Sequence, residues 1–202
     1  MNKLLIIAIA ITILNFASFA EAKGDAVAGK EKSSTCVACH GTDGNSPTDL
    51  YPNLAGQHAG YLEKQMQDFK TSVRKNAIML GMATPLSKQD IADLSAYYSK
   101  QEATLYSVSP GIVEAGQKLY MGGDKARGIA ACAACHGPRG VGLELANFPK
   151  ISSQHPGYIK AQLESFRSDA RNNAPNNMMG DIAAKLTDKD ITLLSKYISA
   201  LH

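Results

Sequence analysis

The chain has 202 residues, of which 45% are hydrophobic and none is tryptophan, and its formal net charge is +3. A charge this small, without a basic stripe or arm, argues against a nucleic-acid-binding protein. The positive excess lies in the second half: residues 23–107 carry nine basic and nine acidic side chains, and residues 108–202 carry eleven and eight.

The first 22 residues have the pattern of a secretory signal peptide. Lys3 supplies a positive start, an almost unbroken apolar run extends from Leu4 to Leu14, and small residues at Ala20 and Ala22 form a cleavage site. The apolar run is shorter than the roughly 20 residues that a membrane span requires. We therefore expect export to the periplasm with cleavage near Ala22, and an uncleaved membrane anchor is the alternative.

All four cysteines belong to two copies of a Cys-x-x-Cys-His pentad. The copies consist of Cys36, Cys39 and His40, and of Cys132, Cys135 and His136. This pattern is the attachment signature of c-type haem. The two thiols form thioethers with the haem, and the histidine becomes an axial ligand of the iron. The sequence therefore predicts two covalently attached haem c groups.

Other uses of paired cysteines fit less well. The two pairs of a zinc ribbon lie about 15–20 residues apart, whereas Cys39 and Cys132 are separated by 93 residues. A thioredoxin-like pair needs a βαβ setting, but the flanking sequences here are typical of helices. Two local disulfides would leave His40 and His136 unexplained.

The two halves of the chain repeat each other beyond the pentads. Tyr61 matches Tyr158 at an offset of 97 residues, and the offset becomes 100 after a three-residue insertion near Pro175. Further matched pairs are Phe69 and Phe166, Arg74 and Arg171, and Asp90 and Asp190. A repeat this long indicates two copies of one domain. We predict domains over residues 23–107 and 108–202, divided where a Ser-Val-Ser-Pro-Gly stretch breaks any helix.

Each half is predicted to consist of helices joined by irregular loops. An opening helix is expected from Asp25 to about Ser33, and its counterpart from Pro110 to Tyr120. A middle helix has apolar residues at three- and four-residue steps, and a closing helix begins with a capping-box pattern. The capping-box pairs are Ser87 with Asp90 and Thr187 with Asp190. No alternating run long enough for a sheet occurs, so the predicted fold class is all-α, with two tandem domains.

Small domains bury only a modest share of their surface and are marginally stable without a cross-link, a metal or a cofactor. A covalently held haem is a large flat hydrophobic group around which each half can fold. We therefore expect the haem-free chain to be poorly folded.

The repeat also suggests the second axial ligand of each iron. Met79 lies seven residues before Leu86, and Met179 lies seven residues before Leu186. These are the methionine positions that carry sulfur in both copies. Met66 and Met82 are expected to fill the core, and Met178 aligns with Ile78 and not with a methionine. We predict Met79 and Met179 as ligands opposite His40 and His136.

A bis-histidine arrangement remains an alternative. His58 and His155 also match across the repeat, and each directly precedes a middle helix. In that position a histidine is more often a surface residue at a helix entry. A methionine thioether stabilises ferrous iron and raises the potential relative to two imidazoles, so the two ligand sets differ in function.

The order and spacing of these motifs resemble cytochrome c4 over the whole chain after residue 22. The shared features are the pentads, a following Gly-x-x-Gly at Gly41 and at Gly137, a Pro-x-Leu/Ile loop, and a methionine before a Leu-Ser/Thr-x-x-Asp-Ile helix. The resemblance implies two class I cytochrome c domains related by a pseudo-twofold, with haems that face the domain interface. It also implies histidine–methionine ligation of both irons.

The resemblance assigns further residues. It implies that the carbonyls of Pro52 and Pro149 orient the ligand histidines. It also implies that each opening helix crosses its closing helix with a glycine against an aromatic ring, and the pairs that fit are Gly29 with Tyr97 and Gly116 with Tyr197. Residues 121–131 of the second copy depart from the first copy by an insertion before the pentad.

We interpret the chain as an electron carrier and not an enzyme, because irons with both axial positions filled can only change valence. The resemblance implies transport from quinol-oxidising complexes toward terminal oxidases. The expected partners are periplasmic or membrane-bound redox proteins that bind transiently. Nucleic acid is not expected as a partner, and loose membrane association is an open alternative. A dihaem subunit of a flavocytochrome c-type dehydrogenase and a dihaem peroxidase are the competing interpretations.

Overall fold

The computed structural model describes residues 23–202. The predicted signal peptide therefore lies outside the described residues. Within the part that is described, no helix is both long and apolar enough to cross a membrane.

Residues 23–107 contain five helices in the order opening, pentad, middle, methionine and closing helix. They are α1 Ala26–Lys32, α2 Val37–His40, α3 Ala59–Lys70, α4 Ala77–Ala83 and α5 Lys88–Ser99. The second half repeats this order. Its helices are α6 Pro110–Gly122, α7 Ala133–His136, α8 Pro156–Arg167, α9 Met178–Ala183 and α10 Asp188–Ser199. Between the halves, residues 102–109 form no regular structure.

The all-α prediction is confirmed. Among residues 23–202, the β-type pairing consists of two isolated bridges, Asp124 with Ile129 and Leu143 with Phe148. The same residues include three short 3₁₀ turns, at Ser33–Thr35, Glu144–Ala146 and Pro175–Asn177. Helix α6 extends two residues beyond the predicted end at Tyr120 and stops before Gly123, which adopts φ of +64°. A left-handed backbone is favourable for glycine and ends the helix there.

Both predicted capping boxes are present at the starts of the closing helices. The Asp90 amide donates to the Ser87 hydroxyl at 3.1 Å, and the Ser87 amide donates to the Asp90 carboxylate at 2.9 Å. The corresponding distances between Asp190 and Thr187 are 3.2 and 2.9 Å. Each box satisfies amides that have no partner within the first turn.

Each opening helix packs against its closing helix, α1 against α5 and α6 against α10. A Cβ atom on Gly29 would lie 2.9 Å from the Tyr97 Cβ, and one on Gly116 would lie 2.6 Å from the Tyr197 Cγ. These distances are too short for real carbon atoms. Glycine is therefore required at each crossing, as expected from the resemblance.

The two domains differ in how much apolar core the polypeptide itself supplies. The buried cluster of the first domain contains Leu62, Leu94, Tyr97 and Tyr98. The cluster of the second domain is larger and contains Leu119, Tyr120, Ile129, Ile159, Leu163, Leu186, Ile191, Leu194, Tyr197 and Ile198. The second domain thus depends less on an added hydrophobic group for its core.

The domains are joined by contacts that repeat under an approximate twofold. Gln57 donates to the Lys150 carbonyl at 2.8 Å and accepts from the Lys150 amide at 2.9 Å. Gln154 pairs in the same manner with the backbone of Asn53, at 2.9 and 2.8 Å. The two sets differ by 97 residues, which is the offset of the repeat. The duplicated sequence has therefore produced a reciprocal interface.

Candidate functional site

The first pentad lies at the end of a 3₁₀ turn, with Cys36 just before α2 and with Cys39 and His40 inside it. In the second pentad, Cys132 likewise stands just before α7 and Cys135 and His136 lie inside it, but no 3₁₀ turn directly precedes it among the described residues. No disulfide joins the four cysteines, and all four are of intermediate exposure. One helical turn keeps both sulfurs of a pair and the following imidazole close together, as the attachment chemistry requires.

The pentad histidines are buried and oriented by backbone carbonyls. His40 and His136 are each 8% exposed. Their Nδ1 atoms lie 2.9 Å from the Pro52 carbonyl oxygen and 3.0 Å from that of Pro149. A carbonyl only accepts, so each Nδ1 carries the proton and donates. This is the arrangement that the resemblance implied.

The chemistry of these imidazoles fits a haem iron. Burial lowers the pKa of both histidines, and the hydrogen bond to the proline carbonyl opposes that effect in part. The rings are therefore neutral near pH 7, and the lone pair of Nε2 is available to a metal. Among residues 23–202, neither Nε2 atom has a hydrogen-bond partner. A neutral ring with Nδ1 held by a carbonyl is the usual state of a metal-ligating histidine.

The methionines of the repeat lie on short helices next to the closing helices. Met79 is in α4, where the Asn76 side chain accepts from its amide at 2.9 Å, and Met179 is in α9. Both side chains are partly buried. Met179 packs against the same buried cluster as Cys132, so these two sulfurs border one apolar region.

The rival histidines are located in the domain interface. The Nε2 atom of His58 lies 2.8 Å from the carbonyl oxygen of Val141, and that of His155 lies 3.0 Å from the carbonyl oxygen of Ser46. Each of these Nε2 atoms donates to a carbonyl of the other domain and is therefore not free to bind an iron. His155 is also buried, at 8% exposure, and so is not a surface residue at a helix entry.

Sequence reasoning missed the residues that join the two domains. Gln57 and Gln154 had one available signal: both belong to the Pro-x-Leu/Ile loops that match across the repeat. Arg74 donates to the Tyr158 hydroxyl and Arg171 donates to the Tyr61 hydroxyl, each at 2.9 Å. The repeat shows that these positions correspond, but it contains no indication that they pair across the interface.

Comparison with known proteins agrees with this geometry. The family model described as Cytochrome c matches residues 22–101 and 113–202. Cytochrome c4 of Pseudomonas aeruginosa is 45% identical over 203 residues, which covers 100% of both chains. The crystal structure of reduced recombinant cytochrome c4 from Pseudomonas stutzeri has a TM-score of 0.85 at 46% identity, covering 89% of this chain and 100% of that chain.

A relative with a different name is also similar. The thiosulfate dehydrogenase electron acceptor of Thiomonas intermedia is 36% identical over 173 residues, which cover 84% of this chain and 79% of that protein.

The family match includes both cysteine pairs, Cys36 with Cys39 and Cys132 with Cys135, so the chain holds two covalently attached haem c groups. The chain belongs to the cytochrome c4 family of dihaem c-type cytochromes, which are electron carriers.

Proposed function

We propose that this cytochrome works in the periplasm, where it carries electrons from a quinol-oxidising complex to a terminal oxidase. We further propose that His40 and Met79 ligate the first iron and that His136 and Met179 ligate the second. The observation that carries the ligand assignment is the pair of imidazoles held by Pro52 and Pro149. Methionine sulfur in matching positions of both copies supports the opposite ligands.

The haem groups supply one-electron chemistry between ferric and ferrous iron. The polypeptide contributes orientation, burial and ligand choice. The proline carbonyls keep each imidazole ring in one tautomer, and burial of the histidines keeps water away from the ligating nitrogen. Thioether sulfur as the second ligand favours the ferrous state. With both positions filled, no site is left for oxygen or peroxide, which supports a carrier and not an enzyme.

The partners of such a carrier are redox proteins met in brief encounters through small contacts. The proposed second domain, residues 108–202, has eleven basic and eight acidic side chains and therefore suits the more acidic partner. Electrostatic steering weakens with ionic strength. Electron-transfer rates with that partner are expected to fall as salt is added.

The ligand assignment is tested by the near-infrared spectrum of the oxidised protein. Methionine ligation gives a weak charge-transfer band that bis-histidine haem lacks. We expect Met79→Ala and Met179→Ala each to remove about half of the band, and Met82→Leu to leave it intact as a matched control. A full band in either alanine variant would exclude that methionine.

The physiological role is tested with membranes that contain a quinol-oxidising complex and a terminal oxidase. The oxidised cytochrome should be reduced by quinol through the complex, and the reduced form should be reoxidised by the oxidase at a rate that sustains respiration. Failure of both reactions would exclude the proposed role. Peroxide turnover by the purified protein would instead favour the peroxidase interpretation.

A second candidate function is supported by the relative from Thiomonas intermedia. That protein is named as the electron acceptor of thiosulfate dehydrogenase, so this chain is also a candidate acceptor for one particular dehydrogenase. Such a role resembles the flavocytochrome subunit that the sequence suggested. Co-purification with a dehydrogenase, and reduction by that enzyme faster than by the quinol-oxidising complex, would favour it.

A further inference from the structure

The first domain contains a buried hydroxyl group that has no partner. Tyr98, in the closing helix α5, is 3% exposed. Its hydroxyl oxygen is buried, and no described group between residues 23 and 202 stands in hydrogen-bonding geometry to it. Native proteins rarely leave a buried hydroxyl unpaired, because the group has lost its bonds to water. An unpaired hydroxyl at this position therefore calls for an acceptor in the haem-bearing protein.

The candidate acceptor is the sulfur of the first pentad cysteine. Cys36 packs against the buried cluster that contains Tyr98. Burial raises the pKa of Tyr98, and the neighbouring Cys36 is the next largest cause. The other nearby polar side chain is that of Ser33, whose hydroxyl donates to the Lys30 carbonyl at 2.7 Å and does not stand in hydrogen-bonding geometry to the Tyr98 hydroxyl. At neutral pH the phenol of Tyr98 is thus a protonated donor close to a sulfur.

The second domain arranges the same pair of groups differently. The residue that matches Tyr98 at an offset of 100 is the apolar Ile198. A phenol is still present, but it belongs to Tyr120 of the opening helix α6, which is 0% exposed. The hydroxyl of Tyr120 donates to the Gly137 carbonyl at 2.7 Å. Its proton is therefore committed to the backbone and is not available to Cys132.

We propose that the Tyr98 hydroxyl donates a hydrogen bond to the Cys36 sulfur in its haem thioether form, and that this bond raises the reduction potential of the first haem. A thioether sulfur is a weak acceptor. Donation from the phenol would withdraw electron density from the thioether sulfur in a low-dielectric setting, and this would disfavour the ferric state. Because the second site lacks such a donor, Tyr98 makes the two sites electronically unequal. The inference rests on the proposed electron-carrier function, which it deepens.

The test compares Tyr98→Phe with the wild-type holoprotein in a spectroelectrochemical titration. We expect the midpoint potential of the first haem to fall, that of the second to stay unchanged, and the stability to decrease because a hydrogen bond is lost. The second haem is identified as the one whose potential moves in Met179→His. The matched control is Tyr97→Phe, which removes a hydroxyl that donates to the Thr42 carbonyl at 2.9 Å. This control should lose stability without a shift in either potential.

The opposite result has a clear sign. If the Tyr98 hydroxyl is unpaired in the holoprotein, Tyr98→Phe removes a buried unsatisfied group, so stability rises and both potentials stay in place. That outcome would overturn the inference and leave the carrier function intact. If neither haem of the wild-type protein could be reduced and reoxidised reversibly, the carrier function itself would be overturned.

A measurement on the wild-type protein keeps the inference testable if the variant loads haem poorly. A hydrogen bond to sulfur makes the carbon–sulfur stretching frequency sensitive to deuterium on the donor. We expect the resonance Raman spectrum to show such a shift between H₂O and D₂O for one thioether. Frequencies that are identical in the two solvents would overturn the proposed bond.

Discussion

Two glycines determine how closely the opening and closing helices of each domain approach. At Gly116 the facing Tyr197 ring occupies the space that a side chain would need, and at Gly29 the backbone of Asp93 does so. Core positions of this kind tolerate no added methyl group unless the helices separate. Each closing helix directly follows the helix that contains Met79 or Met179. We therefore expect a displacement of the closing helix at the crossing to move that methionine as well.

We predict that Gly116→Ala destabilises the holoprotein by about 1–3 kcal/mol, the usual cost of overpacking a core. Gly111 is a matched control in the same helix, because a Cβ atom there meets nothing within 4 Å. Gly111→Ala should be neutral or slightly stabilising, since alanine is the better helix former. Urea unfolding of the two variants measures the difference, and equal midpoints would contradict the prediction.

At the scale of elements, the insertion before the second pentad is tied to the start of the closing helix. Arg127, in the insertion, bonds Asp190 at 2.6 Å, and Asp190 is the capping-box residue of α10. In the first domain the corresponding Asp90 is bridged at 2.8 Å by Lys32, from the end of α1. In each domain, a cation that precedes the pentad thus pairs with the first turn of the closing helix, although Lys32 and Arg127 do not correspond in the repeat.

The ion pair between Arg127 and Asp190 is expected to stabilise the fold by an amount that depends on pH. Its guanidinium is the main reason that the pKa of Asp190 falls from 3.8 to about 2. A lowered pKa in the folded state means that the ionised carboxylate stabilises the fold above about pH 4, and that this contribution is lost as the pH falls toward 2. Arg127→Gln should therefore lower the urea midpoint at pH 7, and the difference from wild type should shrink between pH 4 and pH 2.

Lys125 provides the control for this experiment, because it is exposed in the same insertion. Lys125→Gln should leave the urea midpoint almost unchanged at every pH. If Arg127→Gln behaves in the same way at pH 7, the ion pair contributes nothing measurable, as is the case for many exposed pairs.

At the scale of the whole molecule, the reciprocal glutamine contacts hold two domains in one relative orientation. Gln57 and Gln154 are each 8% exposed, and each satisfies both backbone groups of a residue in the other domain. Loss of a buried partner costs about 1–3 kcal/mol, because the group left behind is unsatisfied. The relative orientation of the domains therefore depends in part on these two polar side chains.

We predict that the double variant Gln57→Ala with Gln154→Ala uncouples the domains. Thermal unfolding, followed at the haem absorption of the holoprotein, should change from one transition to two. Gln117→Ala is the control, since Gln117 is an exposed residue of α6. A single transition at the wild-type midpoint in the double variant would show that other contacts carry the coupling.

The unequal cores predict unequal dependence on haem. The cluster of the first domain is limited to Leu62, Leu94, Tyr97 and Tyr98, whereas that of the second is more extensive. Replacing both Cys36 and Cys39 by serine should therefore cost more far-ultraviolet helicity than replacing Cys132 and Cys135. Native-like helicity in a variant that lacks all four cysteines would contradict the idea that haem completes the core.

The sequence by itself determined the covalent chemistry, the duplication and the main helices. Cysteine pairs, pentad histidines and capping boxes act over a few residues, so their spacing in the chain already specifies them. The sequence alone left open whether His58 and His155 bind iron. Only the tertiary structure brought them against Val141 and Ser46 of the opposite domain, and only it located the unpaired Tyr98 hydroxyl beside Cys36. The physical reason is that partners about a hundred residues apart are chosen by how the helices and domains pack, which local patterns do not encode.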